Sequence, residues 1–219
     1  VCDPGFYQVI SKIAFEREYG SVSDYHIFAL LPSYLERSTS SLVFMMDHFI
    51  KASGSDLSGF YLNQYQELVQ ALRKALATDK KVWLMGVTFG LLDLVDSGID
   101  LSFLNEHKER LIVMETGGMK GRREEWIRDK VHAYLQEKMG LDSIASEYGM
   151  TEMMSQAYSK GNGKYSLPAT VQVMLRDIND PWSWATRSQG GINVIDLGNF
   201  HSCAFLETQD LGRFDEDGN

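Results

Sequence analysis

The first two thirds of the chain alternate between two hydrophobic rhythms. Ile10, Ile13 and Ala14 recur at helical spacing over residues 6–19, and Gly20 supplies a stop. Residues 25–31 then form an almost unbroken apolar run that ends at Pro32, the pattern of a strand buried on both faces. Helical spacing returns over residues 38–50, opened by Ser38 and Thr39 as caps. It returns again over residues 63–77, where Tyr65, Leu68, Val69, Leu72 and Leu76 share one face. A strand over 81–85, a helix over 88–96 and a strand over 110–115 follow. A long helix is predicted over 122–139, with Trp126, Ile127, Val131, Tyr134 and Leu135 on its apolar side and Gly140 at its end. Residues 142–147 give one more short strand.

Past Tyr148 the rhythm changes. Residues 151–164 are polar and glycine-containing, which predicts an irregular loop with some helix. Strands are predicted at 171–176, 191–196 and 202–207, without long helices between them. Residues 210–219 read as a strand running into an Asp-Gly hairpin turn, so the chain is expected to be a fragment that stops at the turn. Alternating β and α elements predict an α/β fold: a mostly parallel sheet flanked by helices and joined by right-handed crossovers. The tail predicts a β-rich C-terminal part. The expected division is residues 1–165 for the α/β portion and 166–219 for a β-rich subdomain.

Composition narrows the function classes. The 219 residues are 44% hydrophobic and 23% charged, with a formal net charge of −9. No basic block is present, so a nucleic-acid partner is not expected. An acidic chain can still take an anionic nucleotide on backbone N–H groups and a few local cations. Cys2 and Cys203 are too few for a disulfide framework, which favours a reducing, cytoplasmic setting. No apolar run approaches the length of a membrane span, and no signal-peptide pattern opens the chain. The five histidines lack ligand spacing, so a zinc site is not expected. The G-x-S-x-G, Walker A and G-x-G-x-x-G patterns are absent, which argues against a serine hydrolase, a P-loop NTPase and a Rossmann dehydrogenase.

An open parallel sheet binds ligands beyond the carboxyl ends of its strands. The first predicted strand is followed by Pro32-Ser33-Tyr34-Leu35-Glu36-Arg37, the second by Gly86-Val87-Thr88-Phe89. The third is followed by Thr116-Gly117-Gly118-Met119-Lys120-Gly121, the fourth by Tyr148-Gly149-Met150-Thr151-Glu152. Gly117 and Gly118 can let backbone approach a ligand, with Lys120, Arg122 and Arg123 adding positive charge, or they can form a tight βα turn with solvated basic residues. A hydroxyl and a carboxylate in one turn, Thr151 and Glu152, can hold Mg²⁺ beside phosphates, or Thr151 can simply cap a helix. Asp210 can accept hydrogen bonds from a ribose or serve as a turn aspartate. Met45, Met46, Met153, Met154, Trp182 and Trp184 read as packing residues, and Cys203 as a core residue within a strand.

The same segments carry a resemblance. Tyr148-Gly149-Met150-Thr151-Glu152 resembles the Y-G-x-T-E signature of adenylate-forming enzymes. Thr208-Gln209-Asp210-Leu211-Gly212-Arg213 is similar to their T-G-D-x-G/A-R segment, with Gln209 in place of glycine. Glu115-Thr116-Gly117-Gly118 resembles their Gly-rich turn. Together with the segments around Ser33 and Gly86, these are most similar to the LuxE-type acyl-protein synthetase branch, a relative of phenylacetate–CoA ligases. The resemblance implies the large domain of that superfamily and a two-step reaction. A carboxylate attacks the α-phosphate of ATP to give acyl-AMP and pyrophosphate, and a thiol then takes the acyl group.

By motif match, Thr151 would touch phosphate as a catalytic residue, and Glu152 would be both catalytic and the Mg²⁺ ligand. Tyr148 would pack on adenine, Gly117, Gly118 and Gly149 would line the nucleotide pocket, and Asp210 would hold the ribose. Ser33, Tyr34, Gly86 and Thr88 would border the acyl pocket. The implied cofactors are ATP and Mg²⁺. The implied partners are a fatty or aryl acid and a thiol acceptor, coenzyme A or a protein cysteine. The oligomeric state stays open, with a homodimer as the candidate assembly. The family's phosphate loop and its mobile C-terminal part have no counterpart in these residues, so the isolated chain is expected to be inactive. A non-catalytic nucleotide- or acyl-binding module of the same fold, and a sugar-nucleotide or phosphoryl transferase, are the competing readings.

Overall fold

A computed structural model of the chain describes residues 3–31, 40–119, 121–180, 182–185 and 189–215. Helix α1 (Pro4–Tyr19) starts with Asp3 accepting from the Phe6 amide, with Pro4 at its first position. Strand β1 (Tyr25–Leu30) is buried at all six residues, as its continuous apolar run requires. Helix α2 (Ser41–Ala52) is capped by Ser40, whose side chain accepts from the Val43 amide. The expected caps Ser38 and Thr39 lie outside the described residues. Then come β2 (Gly59–Tyr61), α3 (Tyr65–Leu76), β3 (Lys81–Val87), α4 (Thr88–Asp96) and β4 (Leu111–Thr116). Helix α5 (Arg128–Met139) precedes β5 (Ala145–Tyr148) and β6 (Ala157–Ser159).

These strands make one sheet in the order β2-β1-β3-β4-β5-β6, parallel throughout except for the last. The two faces are covered by different helices. Trp83 of β3 stacks on Phe15 of α1 at 4.1 Å and meets Phe49 of α2 at 5.8 Å. Glu115 of β4 points to the opposite face, toward α4 and α5. The core is therefore a layer of fully buried Val, Leu, Met and aromatic side chains on both sides of the sheet.

Strands β7 (Val171–Arg176), β8 (Gln189–Asp196) and β9 (Phe205–Arg213) form a second, antiparallel sheet. Its buried apolar cluster is small: Met153, Val171 and Val194, with Tyr148, Leu167 and Ile192 packed around it. The molecule is thus a mostly parallel sheet flanked by helices with an antiparallel sheet at its C-terminal end.

Several expectations need correction. Helix α5 starts at Arg128 rather than near 122; Trp126 instead lies ahead of it and packs edge-on against Tyr134 at 5.5 Å, satisfying the apolar periodicity without helix. Residues 151–164 contain no helix, and Thr151 caps none; β6 forms there by pairing with β5. Strand β2 was hidden by its length of three residues. Strand β9 runs to Arg213, so Asp210 lies within it rather than after it. Cys203 is exposed and precedes that strand, because the chain is still turning there: the Asn199 amide donates to the Cys203 carbonyl at 2.8 Å. Trp182 and Trp184 are 95% and 61% exposed on the β7–β8 connection instead of packed. The Asp-Gly turn at 217–218 lies outside the described residues.

Candidate functional site

Strand register assembles the site. Thr116 pairs with Glu147 across β4 and β5, and Gly86 and Val87 pair with Glu115 and Thr116 across β3 and β4. Three neighbouring strand ends therefore finish side by side. Strand alternation sends Glu115 to the α4–α5 face and Glu147 to the α1 face.

Glu115, 3% exposed, anchors the first of these groups. Thr88 donates to Glu115 Oε2 at 2.9 Å, and the carbonyls of Thr116 and Gly117 lie at 3.3 and 3.1 Å from the same hydroxyl. Arg128 Nε donates to Glu115 Oε1 at 3.2 Å, and His132 Nε2 sits 3.5 Å from that oxygen and 3.1 Å from Ser146 Oγ. Burial pushes the Glu115 carboxyl up, but hydrogen bonds from His132, Ser146 and Thr88 and the charge of Arg128 outweigh it and hold it below its ordinary value. The Gly117–Gly118 turn rests directly on this network, with Gly117 in the left-handed region at φ 74°.

Glu147 is the contrasting carboxyl. Thr116 donates to its Oε2. It faces Tyr7 of α1 and Tyr158 of β6, with no cation among the described residues beside it. Burial pushes it up to about 7; the Thr116 hydrogen bond works against this and the Glu115 charge adds to it. The Tyr158 hydroxyl and Gln156 Oε1 are buried nearby without hydrogen-bond partners among the described residues.

Tyr148, at the tip of β5, reaches across to the second sheet. Its hydroxyl donates to Asp210 Oδ2 at 2.7 Å, a contact between residues 62 positions apart in sequence. Burial, with the hydrogen bond and charge of Asp210 added, raises the Tyr148 hydroxyl well above its ordinary range. This pair lines a cavity of about 460 Å³ whose floor is apolar (Val171, Val173, Ile192 and Val194) and whose wall includes Arg128 and Tyr165. That volume suits a small-molecule ligand. Tyr165 packs edge-on to Tyr148 at 6.0 Å, and the Arg128 guanidinium lies 5.4 Å from the Tyr165 ring.

The fold recurs in solved proteins. MatB from Rhodopseudomonas palustris with ATP bound is 18% identical with a TM-score of 0.66, over 97% of this chain and 42% of that one. The luciferase-like enzyme from the nonluminescent Zophobas morio mealworm is 12% identical with a TM-score of 0.60, over 97% and 51%. A mutant form of coronafacic acid ligase from Pectobacterium brasiliense is 14% identical with a TM-score of 0.54, over 97% and 42%. These likenesses are of fold. The chain spans about half, or less, of the length of these proteins. No protein-family model matches the sequence, and no curated protein matches it.

The predicted site residues fall into three groups. Tyr148 and Asp210 meet at the cavity. Gly117 and Gly118 form the adjoining turn, but Gly86 and Thr88 lie buried beneath it, and the Thr88 hydroxyl is already engaged by Glu115. Gly149, Thr151 and Glu152 occupy an exposed turn closed by the Met153 amide on the Met150 carbonyl at 3.0 Å. The Thr151 and Glu152 side chains carry no hydrogen bond or ion pair among the described residues. Ser33, Tyr34 and Lys120 lie outside the described residues. Arg123 turns away from the glycine turn to pair with Asp93 and Asp96 of α4, at 2.5 and 2.8 Å.

Sequence reasoning missed Arg128, His132 and Tyr165. Arg128 and His132 lie four residues apart on α5, but only the fold sets that helix face against Glu115 and brings Tyr165 to Tyr148 and Arg128. No helix among the described residues is long and apolar enough to cross a membrane. No group of three or more His, Cys, Asp or Glu residues able to hold a metal occurs among the described residues.

Proposed function

We propose that this chain carries the nucleoside half of an adenylate-forming site, in a protein that activates a carboxylic acid with ATP. The observation that carries the reading is the junction of Tyr148 and Asp210, two residues of separate motifs, at the mouth of one cavity. In the reaction, a carboxylate oxygen attacks the α-phosphorus of ATP and the bond to the β-phosphate breaks. Acyl-AMP forms and pyrophosphate leaves. A thiolate then attacks the acyl carbon, AMP leaves, and a thioester results. Asp210 accepts from the ribose hydroxyls, exchanging its bond from Tyr148 for theirs. The Tyr148 ring offers a face to adenine, and the Gly117–Gly118 and Gly149 backbone lines the pocket. Thr151 donates to phosphate. Positioning and charge neutralisation supply most of the rate in such a step.

Mg²⁺ fits the residues present. Its usual demand beside phosphates is one or two carboxylates, with phosphate and water oxygens filling the octahedron. The exposed Glu152 carboxylate, without a cation partner among the described residues, meets that demand, and the ion would neutralise charge on the phosphates. The finer reading is a LuxE-type acyl-protein synthetase, with a fatty or aryl acid as substrate and coenzyme A or a protein cysteine as acceptor. It is supported by the sequence segments around Ser33 and Gly86 together with residues 146–152, which resemble that branch. With it goes a division at residue 165 between the α/β portion and the β-rich subdomain.

Pyrophosphate release, measured for the full protein with ATP, Mg²⁺ and a panel of fatty and aryl acids, tests the reaction. Release with one acid class is expected, together with its loss in Glu152→Ala. Binding of AMP without release for any acid would favour the non-catalytic module instead. Binding of a sugar nucleotide, unaffected by Asp210→Ala, would favour the transferase.

A further inference from the structure

The turn that bears Thr151 and Glu152 is held from the other sheet. Asp196, at the end of β8, is fully buried, with a relative exposure of 0%. Its Oδ2 accepts from the Met154 amide at 2.8 Å and the Ser155 amide at 3.0 Å. Its Oδ1 accepts from the Ser155 hydroxyl at 2.7 Å and the Gly198 amide at 3.0 Å. Four donors thus converge on one carboxylate, and no cation accompanies it among the described residues. Three residues on, Asn199 donates from Nδ2 to the Glu152 carbonyl and to the Cys203 carbonyl. Its Oδ1 accepts from Ser202 at 2.7 Å, so the amide cannot rotate away without losing all three bonds. The chain wraps the carboxylate tightly: a Cβ on Gly198 would meet Ile10 Cδ1 at 3.0 Å and both Asp196 Oδ1 and Ser155 Oγ at 3.1 Å.

A buried carboxylate is costly unless its acceptor capacity is filled, and here three of the four donors come from the segment that follows β5. The Glu152 carbonyl and the Met154 and Ser155 amides flank the exposed side chains of Thr151 and Glu152. We propose that Asp196 and Asn199 are positioning residues that fix the Thr151–Glu152 turn against the second sheet, so that turn and sheet move as one body. The proposal rests on the adenylation reading for its effect on rate, although the clamp itself does not depend on it. In that reading, the nucleoside is held by Tyr148 and Asp210, which the clamp does not touch. Loosening the clamp then displaces the groups that act on phosphate while leaving nucleoside affinity in place. A misplacement of roughly 1 Å is enough to cost about a hundredfold in rate.

Three variants test this in the full protein. Ser155→Ala keeps the three backbone bonds to Asp196, Asn199→Ala removes the grip on Glu152, and Asp196→Ala removes the whole carboxylate. For the two milder variants, kcat for pyrophosphate release is expected to fall by about ten- to a hundredfold with KM for ATP within about threefold. AMP is expected to bind at undiminished stoichiometry, which partial unfolding would not allow. In Asp196→Ala, the Met154 and Ser155 amides are expected to exchange with solvent at least about tenfold faster, while the β3 and β4 amides keep their protection. Unchanged exchange at Met154 and Ser155, or faster exchange with unaltered kcat, would overturn the proposal. If the unsubstituted protein releases no pyrophosphate with any acid, the adenylation reading fails by itself. The clamp is then decided by exchange alone, with faster exchange in Asp196→Ala upholding it and unchanged exchange refuting it.

Discussion

The six-stranded sheet buries its inner strands on both faces, whereas the three-stranded sheet does so only sparsely. All of β1 is buried, as is every residue of β3 after Lys81. In β7 only Val171 and Leu175 are buried, and in β9 only Thr208. Phe205 and Leu211 stay 71% and 59% exposed. The two halves of the candidate site inherit this difference. Glu115, Thr88 and His132 sit in a packed frame where each polar group meets another. Asp210 belongs to the sparse sheet and, among the described residues, is tied to the dense one through one hydrogen bond, from Tyr148.

The contrast can be broken first in the cores. Trp83→Ala empties a 0%-exposed position between Phe15 and Phe49 and is expected to cost about 3–5 kcal/mol in denaturant unfolding. Val194→Ala, in the smaller cluster, is expected to cost only about 2 kcal/mol. Equal losses would mean that the second sheet is as tightly packed as the first.

Glu147 sharpens the picture inside the dense half. Its carboxyl is raised from 4.5 to about 7, equivalent to roughly 3 kcal/mol. Below about pH 4.5, folded and unfolded chains both hold the proton, and its contribution is fully present. Between about 4.5 and 7 the unfolded chain releases it and the folded chain keeps it, so stability falls as pH rises. Glu147→Gln is expected to flatten this slope and to be the more stable protein at pH 8 in urea titrations. A parallel pH profile for variant and parent would remove Glu147 from the account. Glu115, held below its ordinary value, has the opposite sign: its stabilisation is present above the carboxylate range and lost on acidification.

On the sparse side, Asp210→Ala is expected to weaken AMP binding by about ten- to a hundredfold in calorimetry, the worth of hydrogen bonds to a charged acceptor. Its effect on unfolding is expected to be slight, because Asp210 is exposed. The smallest effect is expected from Arg123→Ala, whose ion pairs with Asp93 and Asp96 lie at the surface. A stability change above about 1 kcal/mol there would contradict the view that core packing dominates the first half.

Legibility in the sequence followed the same division. The continuous apolar run at Tyr25–Leu30 could only be a doubly covered strand, and the helical spacing of Leu68, Val69, Leu72 and Leu76 placed α3 within two residues at its start. Strands β2 and β6 escaped because three residues are too few to display a period. Tyr148 and Asp210 were legible through their motifs, but their contact is a property of the fold. Asp196 and Asn199 were not legible at all. In sequence, Asp196-Leu197-Gly198-Asn199 reads as a polar strand end, and the four donors that converge on Asp196 come mostly from residues about 40 positions away.

The placement of the aromatic side chains also gives each half of the molecule its own optical signature. Trp83 is sealed between Phe15 and Phe49 within the parallel sheet, while Trp182 and Trp184 stand in water on the hairpin of the antiparallel one. Indole emission from the first should be blue-edged and shielded from iodide, and from the others red-edged and readily quenched. With the half-buried Trp126 ahead of α5 replaced by Phe, melting followed at the two wavelengths would report on each sheet separately.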